Sequence, residues 1–304
     1  MAPQLWDAVR YDVDRKHGRG RFILTGSSTP RLSELPTHSG VGRFARITMR
    51  TMSLWETRES SGAVSLADLF AGRHDIGALV DFDIERIAFA ICRGGWPEAV
   101  TEKDDFSALE MAKEYISLLL DTDIAQIDGI NRNRTWAQAI LRSYARNTAS
   151  QATLATIRQD LQSELPTRNT VSDYVDALNR AFVFEDLPAW NPRLRSKTAV
   201  RTSPTRYFCD SSLAAVMLNA TPKRLLTDFE TFGFLFESLC VHDLRVYVDS
   251  LGGRVYHYRD KTGLEADAVL VLDDGRWALV EVKLGEHLID QAAEHLKKLA
   301  QRIN

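Results

Sequence analysis

Residues 263–285 read GLEADAVLVLDDGRWALVEVKLG, two alternating runs separated by Asp-Asp-Gly. Alternation at period two is a strand signal, and a three-residue loop with a left-handed glycine is a common hairpin connection. With Asp273, Asp274 and Gly275 as the loop, Leu272 opposes Arg276, Leu270 Ala278, Ala268 Val280, Ala266 Val282 and Leu264 Leu284. That face is wholly apolar. The other carries Asp267 opposite Glu281 and Glu265 opposite Lys283. A two-residue loop mixes the faces, so the three-residue register is expected.

Two opposed carboxylates repel by a few tenths to about 1 kcal/mol, and a divalent cation between them reverses the sign. Mg²⁺ is commonly held by one or two carboxylates with water and substrate phosphate. A lysine beside them can orient an attacking water or steady developing phosphate charge. Upstream, Glu237 shares a helical face with Gly233, Cys240, Val241 and Leu244, among Phe232, Leu235, Phe236 and Leu239. A carboxylate in that setting needs a partner: a metal, Lys283 or an arginine. The bland alternative is a solvated hairpin with E-x-D and E-x-K strands.

The 304 residues suffice for two or three small cores, and 38 Lys plus Arg against 41 Asp plus Glu give no overall basic excess. Cys92, Cys209 and Cys240 are isolated, which excludes a disulfide framework and a cysteine zinc site. The seven histidines show no metal-ligand spacing. Neither a membrane span nor a secretory leader is visible, so a cytoplasmic protein without membrane partners is expected.

Along the chain, LWDAVRYDVDRK (5–16) has helical spacing and RFILTGSS (21–28) reads as a buried strand. Residues 106–146, 152–161, 170–184 and 226–248 read as helices, with Thr167 or Asn169 capping the third and Pro166 ending the second. Strands are expected near 254–259, 264–272 and 277–284, then a helix from about 287. Two helices at a tight turn, followed by the runs FVFEDLPAW and TRYFCD around a basic loop, have the order of a winged helix-turn-helix.

GFLFESL, LEADAVL, VEVKLG and IDQAAEHL together resemble the PD-(D/E)XK, restriction-endonuclease-like superfamily. The whole chain resembles a prokaryotic family of AAA-like P-loop ATPases bearing such a domain of unknown function at the C-terminus. The resemblance rests on RFILTGSS (a sensor strand), GVGRFARITMRTMSLWE, GGWPEA and SPTRYFCDSSLAAVML. It implies Asp267 and Glu281 as metal ligands and catalytic residues, Lys283 as the catalytic-type lysine, Glu237 as a helix acid and metal ligand, and Gln291 in a supporting role beside Glu265. In this family such domains need not cut anything. The family's GxxxxGK[ST] loop and acidic strand lie upstream of the sensor strand, and no GxxxxGK[ST] occurs here. The chain therefore looks N-terminally truncated, with no ATP binding expected of it alone. Thr25 and Ser27 would be a sensor without a nucleotide, and Arg43 an arginine without assigned use. HGRG (17–20) reads as an exposed turn.

The expected fold is mixed α/β: an AAA-like remnant (1–60), a linker region (61–105), a helical, winged-helix-like domain (106–215) and a nuclease-like α/β domain (216–304). Two stretches carry base without acid: Arg132, Arg134, Arg142, Arg146 and Arg158 in 131–158, and Arg193, Arg195, Lys197, Arg201 and Arg206 in 191–206. The second, where a wing would sit beside Trp190, is the candidate nucleic-acid contact. Asp173 and Asp176 with the single Arg180 argue against base-specific readout by the preceding helix. The function expected is a DNA-associated protein whose C-terminal site performs Mg²⁺-dependent phosphodiester hydrolysis. The alternative is a non-catalytic interaction module of a truncated or split ATP-binding protein, working through a protein partner or a separate ATPase half.

Overall fold

Short polar side chains mark where the helices begin. Asp83, Asp104, Asn133, Thr153, Thr167, Asp210, Thr221 and Asp228 each accept a backbone N–H from the turn they precede. Each such cap is worth about 1 kcal/mol. The computed structural model describes residues 3–16, 20–26, 45, 47–73, 77, 80–123, 130, 132–161, 167–192, 203–260 and 262–303. Its helices are α1 (Pro3–Lys16), α2 (Leu66–Phe70), α3 (Ile84–Arg93), α4 (Pro97–Thr101), α5 (Asp105–Leu118), α6 (Arg134–Arg146), α7 (Leu154–Gln159), α8 (Arg168–Arg180), α9 (Ser211–Met217), α10 (Pro222–Leu225), α11 (Phe229–Ser250) and α12 (Ile289–Ile303). The strands β1 (Gly253–Arg259), β2 (Glu265–Leu272) and β3 (Trp277–Val280) form one antiparallel sheet in that order. The class is mixed α/β, as expected.

The main core gathers α3, α5, α6, α8, α9 and the first half of α11, with Ile91, Ile140, Leu141, Tyr144, Leu178, Phe208 and Phe232 buried at its centre. Residues 84–93, expected within a linking stretch, thus belong to the core. Their apolar spacing predicts this once the stretch is read as a helix. Between α8 and α9 the chain makes an antiparallel ribbon, Phe184 opposite Phe208 and Leu187 opposite Thr205, where the two runs of a wing were expected.

The second half of α11 lies on one face of the sheet, packing Val241 and Val248 against Val255, Ala268, Leu270 and Leu272. The other face is covered by α12, whose Leu299 packs with Val269, Ala266 and Trp190. The sheet is therefore a filling between two helices, and its central strand is apolar on both sides, as buried strands are.

The hairpin register is the expected one: Ala268 pairs with Val280, Leu270 with Ala278, and Gly275 takes φ +89°. Two departures matter. The strand expected over 277–284 ends at Val280, and β2 is bulged. Tyr256 pairs with Val269 and Tyr258 with Ala266, so Asp267 and Ala268 together stand opposite the single His257. A bulge re-aims the side chains beside it. Here Ala266 packs toward α12 while Ala268 packs toward α11, and strict alternation fails between them.

Residues 21–26 are not a buried strand. They form no regular element, and Ile23 is 90 % exposed. A strand exists only when neighbours take its backbone groups, and the described sheet does not include this stretch. No described helix is long and apolar enough to cross a membrane.

Candidate functional site

Asp267 comes to the site from the bulge in β2, and Glu281 and Lys283 from the segment that follows β3. The bulge is what brings Asp267 to the side occupied by Glu237 of α11. Asp267 Oδ2 accepts the Val282 N–H at 2.8 Å. That N–H would otherwise continue the ladder to a backbone carbonyl of β2, so the carboxylate that enters the site also ends the strand. Lys283 Nζ donates to Glu281 Oε1 at 2.8 Å and lies 3.9 Å from Asp267 Oδ2. The Glu281 side chain is only 8 % exposed, and its Oε2 has no hydrogen-bond partner among the described residues.

Glu237 is half-buried and accepts a hydrogen bond from the Tyr207 hydroxyl. Burial, with the Asp267 charge second, pushes the Glu237 carboxyl far above the usual range, against the pull of Tyr207 and Lys283. Asp267 is also pushed up, by burial first and then by Glu281, against the Val282 N–H and Lys283. Lys283 moves the other way from what burial favours: its bond to Glu281 and the Asp267 charge hold its proton more firmly. Three acids thus crowd one cation, and the folded protein retains protons there that the unfolded chain would release.

Tyr207 was not singled out by its sequence, and only its place in the buried ribbon strand marks it. Beneath its ring lies Arg245, 5.6 Å from the centroid, which donates to the Glu185 carbonyl at 2.6 Å. Arg50 donates to the Glu185 carboxylate at 2.7 Å and pairs with Asp249. A line of buried or half-buried polar groups therefore runs from residue 50 to the acids.

Two expected members are elsewhere. Glu265 pairs with Arg259 of β1 at 3.3 Å rather than with Lys283. Gln291 is exposed near the start of α12, with no hydrogen bond to the acids. Among the described residues no group of three or more His, Cys, Asp or Glu side chains is gathered to hold a metal ion. The arrangement fits a cation that takes two protein carboxylates and completes its shell with water and substrate oxygens.

Several described residues of the basic stretches are engaged within the fold. Arg206 is buried inside the ribbon, donating to the Ala152 carbonyl at 2.8 Å and the Tyr144 hydroxyl at 3.2 Å and pairing with Asp186. It holds the fold together and does not face phosphate. Arg193, Arg195, Lys197 and Arg201 lie outside the described residues, as do Ser27 and Arg43. Thr25 is described and exposed. In the earlier stretch, Arg134 pairs with Asp121 at 2.7 Å, Arg146 with Asp160 at 2.8 Å, and Arg132 packs over the Tyr174 ring. A stretch without acid in sequence finds its acids in space.

With the geometry in view, comparison with known proteins gives two matches to domain families. Residues 84–224 match a domain of unknown function (DUF8612), and residues 232–304 match a second domain of unknown function (DUF4143). Uncharacterized proteins of Mycobacterium bovis and Mycobacterium tuberculosis are each 24% identical over 285 residues, covering 92% of this chain and 56% of their own length. The chain thus spans about half the length of the curated relatives it matches. No solved structure matches it. The chain is similar to these proteins across both matched regions.

Proposed function

We propose that the layer formed by α11, the sheet and α12 is a nuclease-type site that binds Mg²⁺ and hydrolyses phosphodiester bonds in DNA, in a protein of an ATPase-associated family. The observation that carries this reading is Glu281 Oε2: a buried carboxylate oxygen without a partner, beside Asp267 and Lys283. Leaving such an atom unpaired costs about 1–3 kcal/mol, more when charged, and a cation on Asp267 and Glu281 removes that cost.

A bound Mg²⁺ would supply Lewis acidity at a phosphoryl oxygen and lower the pKa of a coordinated water. Asp267 and Glu281 would hold it, each being anchored through its other contact, to the Val282 N–H and to Lys283. Lys283, one-third exposed at its side chain, is the group that can turn from Glu281 toward an incoming phosphate. Glu237, held by Tyr207, would be available as a further ligand once it loses its proton. DNA would be held through phosphate contacts, for which the stretch 193–201 supplies the charge.

The test is purified protein with supercoiled plasmid in 5–10 mM Mg²⁺ or Mn²⁺ (about millimolar, as for one or two carboxylates). Metal-dependent nicking that disappears in Asp267→Ala and in Lys283→Ala supports the reading. Absence of nicking, or nicking that survives both changes, overturns it.

One observation favours a second reading, a non-catalytic module that works through a protein partner. Lys283 already neutralises Glu281 at 2.8 Å and approaches Asp267, so an internal cation occupies part of the place a metal would take. Calorimetric titration with Mg²⁺ separates the two: no heat of binding, with the fold intact, favours the internal cation.

A further inference from the structure

Away from those acids, the segment 50–60 is fastened to the body of the protein around one histidine. His242 lies on α11 and is 4 % exposed. Its Nδ1 is 2.9 Å from Asp243 Oδ1, and its Nε2 is 3.0 Å from Thr51 Oγ1. The hydroxyl of Thr51 has one hydrogen, and Asp210 Oδ2 lies 2.6 Å from it. Asp210 also accepts the Gly95 N–H, the Ser212 N–H and the Ser212 hydroxyl, so it is an acceptor throughout and Thr51 is the donor.

The hydrogen count then fixes the ring. With its hydrogen on Asp210, Thr51 presents only lone pairs to His242, so Nε2 must donate. Asp243 accepts the Leu54 N–H and the Tyr247 hydroxyl at its other oxygen, so it too faces the ring as an acceptor, and Nδ1 must donate. A ring that donates from both nitrogens is an imidazolium. A neutral ring leaves one of the two contacts as lone pair against lone pair.

We propose that His242 is a proton-operated latch: as an imidazolium it ties residues 51–54 to α11 through Thr51 and Asp243, and losing the proton releases that segment.

The charges facing the ring agree. Asp210 at the start of α9, Asp243 on α11 and Glu185 on the ribbon are its acidic neighbours. The cations in the same network, Arg50 and Arg245, are both turned to Glu185. Tyr247 is bonded to Asp243, and the Cys209 and Cys240 thiols, which burial keeps protonated, lie among the same acids. Burial alone would lower the histidine's proton affinity, but the Asp243 bond and the charges of Asp210, Asp243 and Glu185 more than reverse it. The latch closes over much of the segment, since the Leu54 N–H rests on Asp243, the Met52 N–H on the Gly95 carbonyl, and the Ser53 residue is fully buried. This inference does not depend on any metal site.

The sign follows from linkage. A histidine held protonated by the fold stabilises it fully below its unfolded value near 6.5, and the contribution is lost as pH rises through the folded value. Hydrogen exchange of the full chain, read on the peptide covering 51–56 and corrected for intrinsic rates, should show protection falling up to about tenfold per pH unit above about pH 6.5. Ring ¹⁵N spectra of the same chain, assigned by comparison with His242→Gln, should place both His242 nitrogens at imidazolium shifts at pH 7. Thr51→Val, which keeps the side-chain shape and the fold's apolar contacts, should lower the titration midpoint of His242. A neutral ring with one tautomer at pH 7 overturns the proposal. So does protection of 51–56 that stays constant while the ring titrates. Should His242→Gln fail to fold, the signal that moves in Thr51→Val supplies the assignment.

Discussion

The carboxylate of Asp267 takes the backbone N–H of Val282, 2.8 Å away, and by doing so ends the strand that carries Glu281 and Lys283 toward it. Sheet termination and site assembly are one event. Asp267→Asn keeps an acceptor for that N–H and removes a charge from beside Glu281. Without metal, the variant should therefore be more stable than the parent by up to about 1 kcal/mol, the size of an opposed like-charge pair. With saturating Mg²⁺ the order should reverse. Urea denaturation under both conditions reads the two signs, and an apo protein destabilised by more than about 1 kcal/mol would contradict the account.

The acids also set a pH dependence. In the folded protein Glu237 is raised from 4.5 to about 8 and Asp267 from 3.8 to about 6, burial being the first cause of each. Because the folded values exceed the unfolded ones, the stabilisation is complete below about pH 4 and is lost as pH rises, first through about 6 and then through about 8. The melting temperature of the metal-free protein should fall between pH 5 and 8.5 (about the interval of those titrations). Glu237→Gln should flatten the upper part of that decline. Scanning calorimetry across the interval is the measurement, and a metal-free protein that gains stability from pH 5 to 8 (about the same interval) refutes it.

Arg206 should behave as a structural residue and not as a phosphate contact. Arg206→Ala takes the cation from Asp186, which keeps only the Tyr144 hydroxyl and the Tyr207 N–H as donors inside the ribbon. The expected cost is about 3–5 kcal/mol, as for breaking one half of a buried ion pair. The double change with Asp186→Ala should recover part of it. At temperatures where the variant is folded, the salt dependence of DNA retention on a filter should be unchanged.

Gly95 should tolerate no side chain. A Cβ there would fall 2.0 Å from the Met52 carbonyl oxygen, a backbone atom that cannot swing away. The same approach carries the Met52 N–H to the Gly95 carbonyl at 2.7 Å. Gly95→Ala should destabilise by about 1–3 kcal/mol, as overpacking does, and should expose 51–56 to protease first. A control at Gly77, where an added Cβ meets nothing within 4 Å, should be neutral.

How much of this the sequence discloses depends on range. The hairpin register was legible because the face pattern and the Asp-Asp-Gly turn agree on one pairing, and Ala268 does oppose Val280. The cap of α8 was legible to within two candidates, Thr167 and Asn169, because capping acts within three residues, and Thr167 is the one that serves. The bulge was not, since nothing in LEADAVL separates a regular strand from one with an extra residue opposite His257. Tyr207 and the ring of acceptors around His242 were hidden for a related reason. Their partners lie on α9, α11, the ribbon and the 50–60 segment, and sequence order says nothing about which polar groups meet across a core. The pairings of Arg134, Arg146 and Arg206 were hidden by the same route, because Asp121, Asp160 and Asp186 sit outside the counted windows.

The first matched region ends at residue 224 and the second begins at 232, inside α11, which gives Phe232, Leu235 and Leu239 to one core and Val241 and Val248 to the other. Cutting the chain at that seam would bare three large side chains on the downstream piece and leave a matching hollow on the upstream one. The two regions, though matched by separate family models, are therefore expected to melt as one unit. Any recombination that moves residues 232–304 to a new host must bring, or find there, a surface shaped like the one α3 and α9 provide.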